Sequence, residues 1–154
     1  MGPIARQRAF TLIESLIVVA ILGILMTISV SAYESYQRET RFSVAVADIT
    51  LIEIAIRKFV VSDYQLPNSL AEAGVSNMRD PWGNEYQYLR IEGGDIKGKG
   101  KLRKDKSLNP INSDYDLYSM GEDGDSKTPF TAKASRDDIV RASNGAFIGL
   151  ADDF

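Results

Sequence analysis

Cysteine and histidine are both absent from this chain of 154 residues. The lack of cysteine excludes a disulfide framework, and the two absences together exclude a Cys/His zinc site. The side chains that most often serve as general base and as thiol nucleophile are missing as well. Acid pairs such as Asp152 and Asp153 have no predicted cleft around them. The sequence therefore predicts that the protein is not an enzyme.

Charge of either sign is missing from residues 15–33, which form a long apolar run. At about 1.5 Å of helix rise per residue, this run and residues 10–14 together reach the ~30 Å thickness of a bilayer's hydrocarbon core. The pattern predicts a membrane-spanning helix over residues 10–33. Glu14 lies near its start, and an intramembrane carboxylate costs about 2.5–3.5 kcal/mol on insertion scales. Such a costly charge indicates a specific partner.

The nine residues before Phe10 suggest what that partner is. They contain Arg6 and Arg8, no acidic residue, and the small residue Ala9 at the end. Positive charge ahead of a first apolar helix holds that end of the chain in the cytoplasm. If a protease cut after Ala9, the new α-amine on Phe10 would be a cation within reach of Glu14 in a neighbouring chain.

Residues 8–14 (RAFTLIE) and the following apolar run resemble the class III signal of type IV pilins and type II secretion pseudopilins. The resemblance implies cleavage between Ala9 and Phe10, N-methylation of Phe10, and pairing of Glu14 with the amino terminus of an adjacent subunit during assembly. Two positions depart from the usual pattern. Ala9 stands where the family usually has glycine, and Ser31 lies near the place where many members have a helix-bending proline.

Two other interpretations of the amino terminus remain open. An ordinary secretory signal peptide has an apolar core of about 7–15 residues followed by a small-residue cleavage site. Here the core is longer and the small residue precedes it. A signal anchor that never polymerises explains the helix but not the carboxylate of Glu14.

The helical pattern continues beyond the membrane segment. Neither proline nor glycine occurs over residues 24–66, and apolar residues recur at intervals of three and four from Phe42 to Phe59. This spacing predicts one helix from about Phe10 to Asp63, whose second half packs on a sheet. Further apolar residues on other faces predict burial on several sides: Leu51, Ile54, Val60 and Val61.

The residues after the helix indicate turns and strands. Residues 80–84 (DPWGN) form a strong turn pattern, and residues 85–91 are typical of a strand. This segment is also similar to part of the major pseudopilin, and Trp82 is predicted to be a buried anchor under the turn. Basic residues alternate from Lys97 to Arg103, which predicts a charged strand edge in a solvated hairpin. The net charge is −3 and no aromatic residue interrupts the basic stretch, so no binding to nucleic acid is predicted.

The carboxyl-terminal region is rich in acidic residues. Calcium requires six to eight oxygen ligands, which an acidic loop can supply, and few large apolar residues are present there to order the loop by burial. The sequence DLYSMGEDG followed by DDI also resembles the calcium loop of the major pseudopilin. A solvated acidic loop is the alternative, because Asp-Gly pairs commonly form turns. By the resemblance, Ca²⁺ would be held by carbonyls near Leu117 and Ser119 and by the side chains of Asp123 and Asp138, with Asp125 and Asp137 as candidates by proximity.

The predicted architecture is an α+β, pilin-like fold. Residues 1–9 would be a cytoplasmic leader that is cleaved, and residues 10–33 the transmembrane half of the helix, which becomes the filament core. Residues 34–154 would form a periplasmic globular domain, in which the second half of the helix packs on a small antiparallel sheet beside the acidic loop. Before processing, the chain would cross the inner membrane once with its amino terminus in the cytoplasm.

The resemblance implies a structural function. The chain would be a subunit of the periplasmic type II secretion pseudopilus, which helps push folded exoproteins through an outer-membrane channel. The alternatives are a pilin of a surface type IV pilus and a non-polymerising, membrane-anchored calcium-binding module. The implied partners are further copies of the chain, minor pseudopilins, the prepilin peptidase, and the inner-membrane assembly platform with its ATPase.

Overall fold

The computed structural model describes residues 10–96 and 98–154. A single helix, α1, spans Leu12–Asp63 and confirms the predicted long amino-terminal helix. The chain divides into two compact units, Met1–Glu39 and Thr40–Phe154, and the division falls within α1.

The described part of the first unit is the apolar half of α1. By its length and composition, the helix is long and apolar enough to cross a membrane. Three hydroxyls in this unit donate to carbonyls one turn back: Thr27 to Gly23 at 3.0 Å, Ser29 to Leu25 at 2.8 Å and Ser35 to Ser31 at 3.1 Å. These side chains therefore satisfy their hydrogen-bonding groups within the helix.

The second unit contains a four-stranded antiparallel sheet among the described residues. Its strands are β1 (Gln87–Arg90), β2 (Tyr115–Ser119), β3 (Ile139–Ala142) and β4 (Phe147–Leu150). They lie side by side in chain order. The register pairs Tyr118 with Gln87 on one side and with Val140 on the other. Four short 3-10 helices complete the elements: Lys99–Lys101, Lys133–Ser135, Ser143–Gly145 and Ala151–Asp153.

The second half of α1 packs on one face of this sheet. Successive side chains of β2 point to opposite faces, so Tyr115 and Leu117 share the face that meets the helix. Trp82 packs against the same core but is only partly buried, whereas the sequence predicted a buried anchor under the turn. The buried residues that α1 contributes recur at helical spacing: Ala45, Ile49, Ile52 and Ile56.

The opposite face of the sheet is covered by irregular chain. The segment between β2 and β3 contributes Phe130, which is only 2% exposed. Its neighbours in the sequence are polar and lack any period, so the pattern gave no indication that Phe130 is buried. This second cluster consists of Ile111, Phe130, Val140, Ala142 and Ala151.

Two predictions about this unit are wrong. Lys97 lies outside the described residues, and residues 98–103 do not form an exposed charged strand: Lys99–Lys101 is a 3-10 helix, and Arg103 is 4% exposed. Burial of α1 on several sides is also not observed within one chain, because Leu51 and Ile54 are more than half exposed. Helical geometry places these two residues away from the single stripe that meets the sheet.

Candidate functional site

Thr11 caps the start of α1. The backbone N–H of Glu14 donates to Thr11 Oγ1 at 3.3 Å, which satisfies one of the donors left free at a helix amino terminus. The Thr-x-x-Glu spacing is the sequence pattern of such a cap, although the sequence analysis interpreted Glu14 only as an intramembrane charge. A carboxylate in the first turn is also favoured by the helix dipole.

The predicted assembly residues are at the exposed end of this helix. Phe10 is 76% exposed, and Glu14 is exposed as well. The Glu14 carboxylate forms no ion pair with any described residue. Ala9 and the rest of the predicted leader lie outside the described residues, so cleavage and methylation at this position stay predictions.

A buried ion cluster connects α1 to the sheet. Arg141 in β3 donates to both carboxylate oxygens of Asp114, at 2.9 and 2.7 Å, and to Glu53 of α1 at 3.3 Å. Its guanidinium also lies 4.0 Å from the ring centroid of Tyr115. Burial lowers the pKa of Arg141, but its hydrogen bonds to Asp114 and nearby negative charges raise that pKa above its usual value. Because Glu53 and Arg141 are both buried, the cluster fixes the position of the helix along the sheet.

A second buried ion pair lies on the other face of the sheet, between Arg103 and Asp138. Asp138 is fully buried. Besides this carboxylate, the Arg103 guanidinium donates to Ser126 Oγ at 2.7 Å and to the Lys127 carbonyl at 2.6 Å. Ser126 Oγ donates in turn to the Asp138 carboxylate at 2.5 Å. One guanidinium thus joins residues 126–127, within the segment that connects β2 to β3, to Asp138 at the end of that segment.

Aromatic rings and a second carboxylate position Arg103. Its guanidinium carbon lies 4.0 Å from the ring centroid of Tyr118 and 5.2 Å from that of Phe130. Its backbone N–H donates to buried Asp116 at 3.0 Å, and the Asn112 amide donates to the other oxygen of Asp116 at 2.9 Å. The residue is therefore held at both its backbone and its side chain.

Burial raises the pKa of the Asp138 carboxyl to about 6, although the Ser126 hydrogen bond and the charge of Arg103 lower it. The carboxyl is therefore mostly ionised at neutral pH and pairs with Arg103 as a carboxylate. Burial also raises the pKa of Asp116, against the lowering effect of its hydrogen bonds from Arg103 and Asn112.

The other predicted metal ligands are engaged in separate contacts. The Asp137 carboxylate accepts the N–H groups of Glu122 and Asp123 at 2.9 and 3.1 Å. Asp123 accepts the N–H of Asp125 at 2.8 Å, and both of these residues are exposed. The carbonyls predicted as ligands near Leu117 and Ser119 belong to strand β2. The side chains of these two residues lie apart from the acidic loop: Ser119 donates its hydroxyl to Asp80 at 2.6 Å, and Leu117 belongs to the core under α1.

These residues do not fit a calcium site built from carboxylates. Within residues 10–96 and 98–154, no three acidic side chains form a group that could hold a metal ion. The most buried of the predicted ligands, Asp138, faces the permanent positive charge of Arg103, which would repel a second cation. The Asp138 Oδ1 and Arg103 Nε atoms lack hydrogen bonds, but they belong to the two partners of this ion pair. Calcium binding stays a prediction of the sequence.

The predicted turn at residues 80–84 is attached to the same loop. Asp80 is buried and accepts the N–H groups of Trp82 and Asn84 at 3.1 and 2.8 Å. The Asn84 amide donates to the carbonyl of Gly121 at 3.3 Å. Gly121 has a φ of +65°, and a Cβ there would lie 2.3 Å from the Asp137 carbonyl oxygen. Only glycine fits this close approach.

Comparisons with known proteins agree with this architecture. Residues 4–30 match the family model described as the prokaryotic N-terminal methylation motif. The chain is 30% identical to type II secretion system core protein G of Pseudomonas aeruginosa over 140 residues, which cover 77% of this chain and 86% of that protein. It is 26% identical to a fimbrial protein of Neisseria meningitidis serogroup B over 145 residues, which cover 89% of this chain and 84% of that protein. No solved structure matched the chain.

A long amino-terminal helix that packs by its second half on a four-stranded antiparallel sheet is an α+β, pilin-like arrangement. With the methylation motif and these relatives, the chain belongs to the type IV pilin-like family, which includes type II secretion system core protein G. The family model and the relatives indicate no catalytic family. A pilin-like subunit of a filament, anchored in a membrane by its amino-terminal helix, is the function that they support.

Proposed function

We propose that this chain is a structural subunit of a periplasmic type II secretion pseudopilus, which helps push folded exoproteins through an outer-membrane channel. The observation that carries the proposal is the similarity to core protein G, which extends over 86% of the Pseudomonas aeruginosa protein. The core protein G of Aeromonas hydrophila supports it, with 27% identity over 88% of its length.

Assembly would begin with processing at the membrane. A prepilin peptidase would cut between Ala9 and Phe10, and the new amine would be methylated. The Glu14 carboxylate, exposed and unpaired among the described residues, would then bind the amine of an adjacent subunit. In an apolar filament core this pairing offsets the cost of burying two separate charges.

Extraction from the inner membrane requires further partners. An assembly platform and its ATPase would move subunits one at a time from the membrane into a helical homopolymer, and minor pseudopilins would join the same filament. The globular domain of each subunit would lie in the periplasm.

A surface type IV pilus is the second candidate, because the Neisseria meningitidis fimbrial protein matches over a similar share of its length. A third possibility is an anchored module that does not polymerise. The deciding experiment deletes the gene in its native bacterium and compares exoproteins in the medium with filaments sheared from the cells. Loss of secreted exoproteins with surface filaments retained supports the pseudopilus. Loss of surface filaments with secretion retained supports the pilus, and no change in either supports the anchored module.

A further inference from the structure

We infer that the Arg103 guanidinium, rather than a bound calcium ion, is the cation that orders the loop between β2 and β3. For this purpose the loop is defined as residues 120–138. The inference departs from the calcium prediction made from the sequence, and it does not depend on whether the filament serves secretion or adhesion.

The donors of Arg103 occupy the position that a cation would need in order to hold this loop. They contact oxygen atoms within the loop and at its carboxyl-terminal end: Ser126 Oγ and the Lys127 carbonyl within it, and the Asp138 carboxylate at the end. Carboxylate, hydroxyl and carbonyl oxygens are also the ligand types that calcium takes. A guanidinium presents five N–H donors in a fixed planar arrangement, so one side chain can engage three such acceptors.

The surroundings of Arg103 favour the positive charge of an arginine side chain over that of a bound metal ion. Its guanidinium stacks near the rings of Tyr118 and Phe130, and stacking on aromatic faces favours arginine over a small hydrated ion. The residue is 4% exposed. Its backbone N–H donates to Asp116 of β2 at 3.0 Å, so Arg103 is also held by a residue outside the loop.

The loop also has an apolar contribution that a metal-ordered loop would not require. Phe130 lies within it, is 2% exposed and packs in the second cluster with Val140 and Ala142. Burying the phenylalanine ring removes apolar surface from water and so stabilises the folded loop. Arg103 and Phe130 together therefore order the segment, one by charge and the other by burial.

The test uses the full-length chain in detergent micelles. Trypsin cleavage after Lys127 reports on the loop, because this side chain is exposed and its backbone carbonyl is held by Arg103. Arg103→Met should raise the cleavage rate at least about tenfold, since removing one partner of a buried ion pair is strongly destabilising. Arg136→Met is the matched control: Arg136 is in the same loop, but its ion pair with Asp152 is exposed, so the rate should not change.

The competing calcium mechanism is tested on the unsubstituted chain, so the result does not depend on how well Arg103→Met folds. EDTA should leave both the melting temperature and the cleavage rate after Lys127 unchanged, and elemental analysis should find no stoichiometric calcium. If EDTA lowers the melting temperature and added calcium restores it, the inference is overturned. Equal cleavage rates for Arg103→Met and Arg136→Met would also overturn it.

Discussion

Glu53 shows at the residue scale how burial decides the value of an ion pair. Its carboxylate contacts two arginines, Arg57 at 2.9 Å and Arg141 at 3.3 Å. The Arg57 side chain is 72% exposed and the Arg141 side chain is 2% exposed. The shorter contact is thus screened by water, whereas the longer one lies in the protein interior, where an unpaired charge is costly.

The substitution Arg141→Met should lower the free energy of unfolding by about 3–5 kcal/mol, because it leaves the Glu53 carboxylate buried without its main partner. Arg57→Met removes the exposed partner of the same carboxylate and should cost at most about 1 kcal/mol. Urea unfolding, followed by the fluorescence of Trp82, measures both values. Equal losses for the two variants would show that burial does not distinguish the two contacts.

Gly121 is a second residue where local geometry makes a specific prediction. Gly121→Ala should destabilise the protein more than Gly74→Ala. Both glycines have positive φ, at +65° and +77°, but a Cβ at Gly121 meets the Asp137 carbonyl oxygen at 2.3 Å whereas a Cβ at Gly74 meets nothing within 4 Å. The shared conformational cost is about 1 kcal/mol, so the difference in urea midpoint reports the clash. A larger loss at Gly74 would contradict the described position of the loop.

At the scale of elements, α1 has two halves with different surroundings. The first half exposes its apolar side chains all around, and the second half buries one stripe under the sheet. One continuous helix therefore carries two kinds of apolar surface. The apolar stripe of the second half is buried within a single chain, whereas the apolar residues of the first half stay exposed in it.

Glu14→Leu should insert into the membrane normally and yet assemble poorly, since the substitution removes the partner of the neighbouring amine and makes the helix more soluble in lipid. Glu34→Leu is the control, because Glu34 is an exposed acid of the same helix outside the predicted membrane segment. The ratio of sheared filament to membrane-held monomer measures assembly. Filament yield equal to that of the unsubstituted chain would exclude Glu14 as an assembly contact.

The elements also show what the sequence could predict. The period of α1 and the turn before β1 depend on neighbouring residues, so their patterns were sufficient to place them. Arg103 was misinterpreted because its burial depends on Asp138, which is 35 positions away in the chain. Arg141 gives a weak indication of a buried ion pair, since it is a lone charge within the apolar strand β3. The cap formed by Thr11 and Glu14 could be predicted from their spacing alone, because both residues lie within one helical turn. The neighbouring apolar run points instead to Glu14 as an intramembrane charge.

At the scale of the whole molecule, processing should precede assembly. Ala9→Leu places a bulky residue where the predicted cut requires a small one, so the leader should stay attached and no filament should form. Ala9→Gly is the control, and it should be processed at least as well as the natural sequence. Mass spectrometry of the amino-terminal peptide distinguishes a chain that starts at a methylated Phe10 from one that keeps residues 1–9. Filaments formed from unprocessed Ala9→Leu chains would contradict this order of events.

The ion cluster of Glu53, Arg141 and Asp114 has a mechanical consequence. Apolar side chains can slide past one another with little resistance, because dispersion contacts that are lost on one side form again on the other. The hydrogen bond from Arg141 to Glu53 of α1 is directional, and the bidentate contact of Arg141 with Asp114 holds the guanidinium in place, so this link resists sliding. A pull along the second half of α1 would therefore strain the contact between Arg141 and Glu53 before the apolar surfaces of helix and sheet separate. The ion cluster would thus transmit a force on the helix to the sheet.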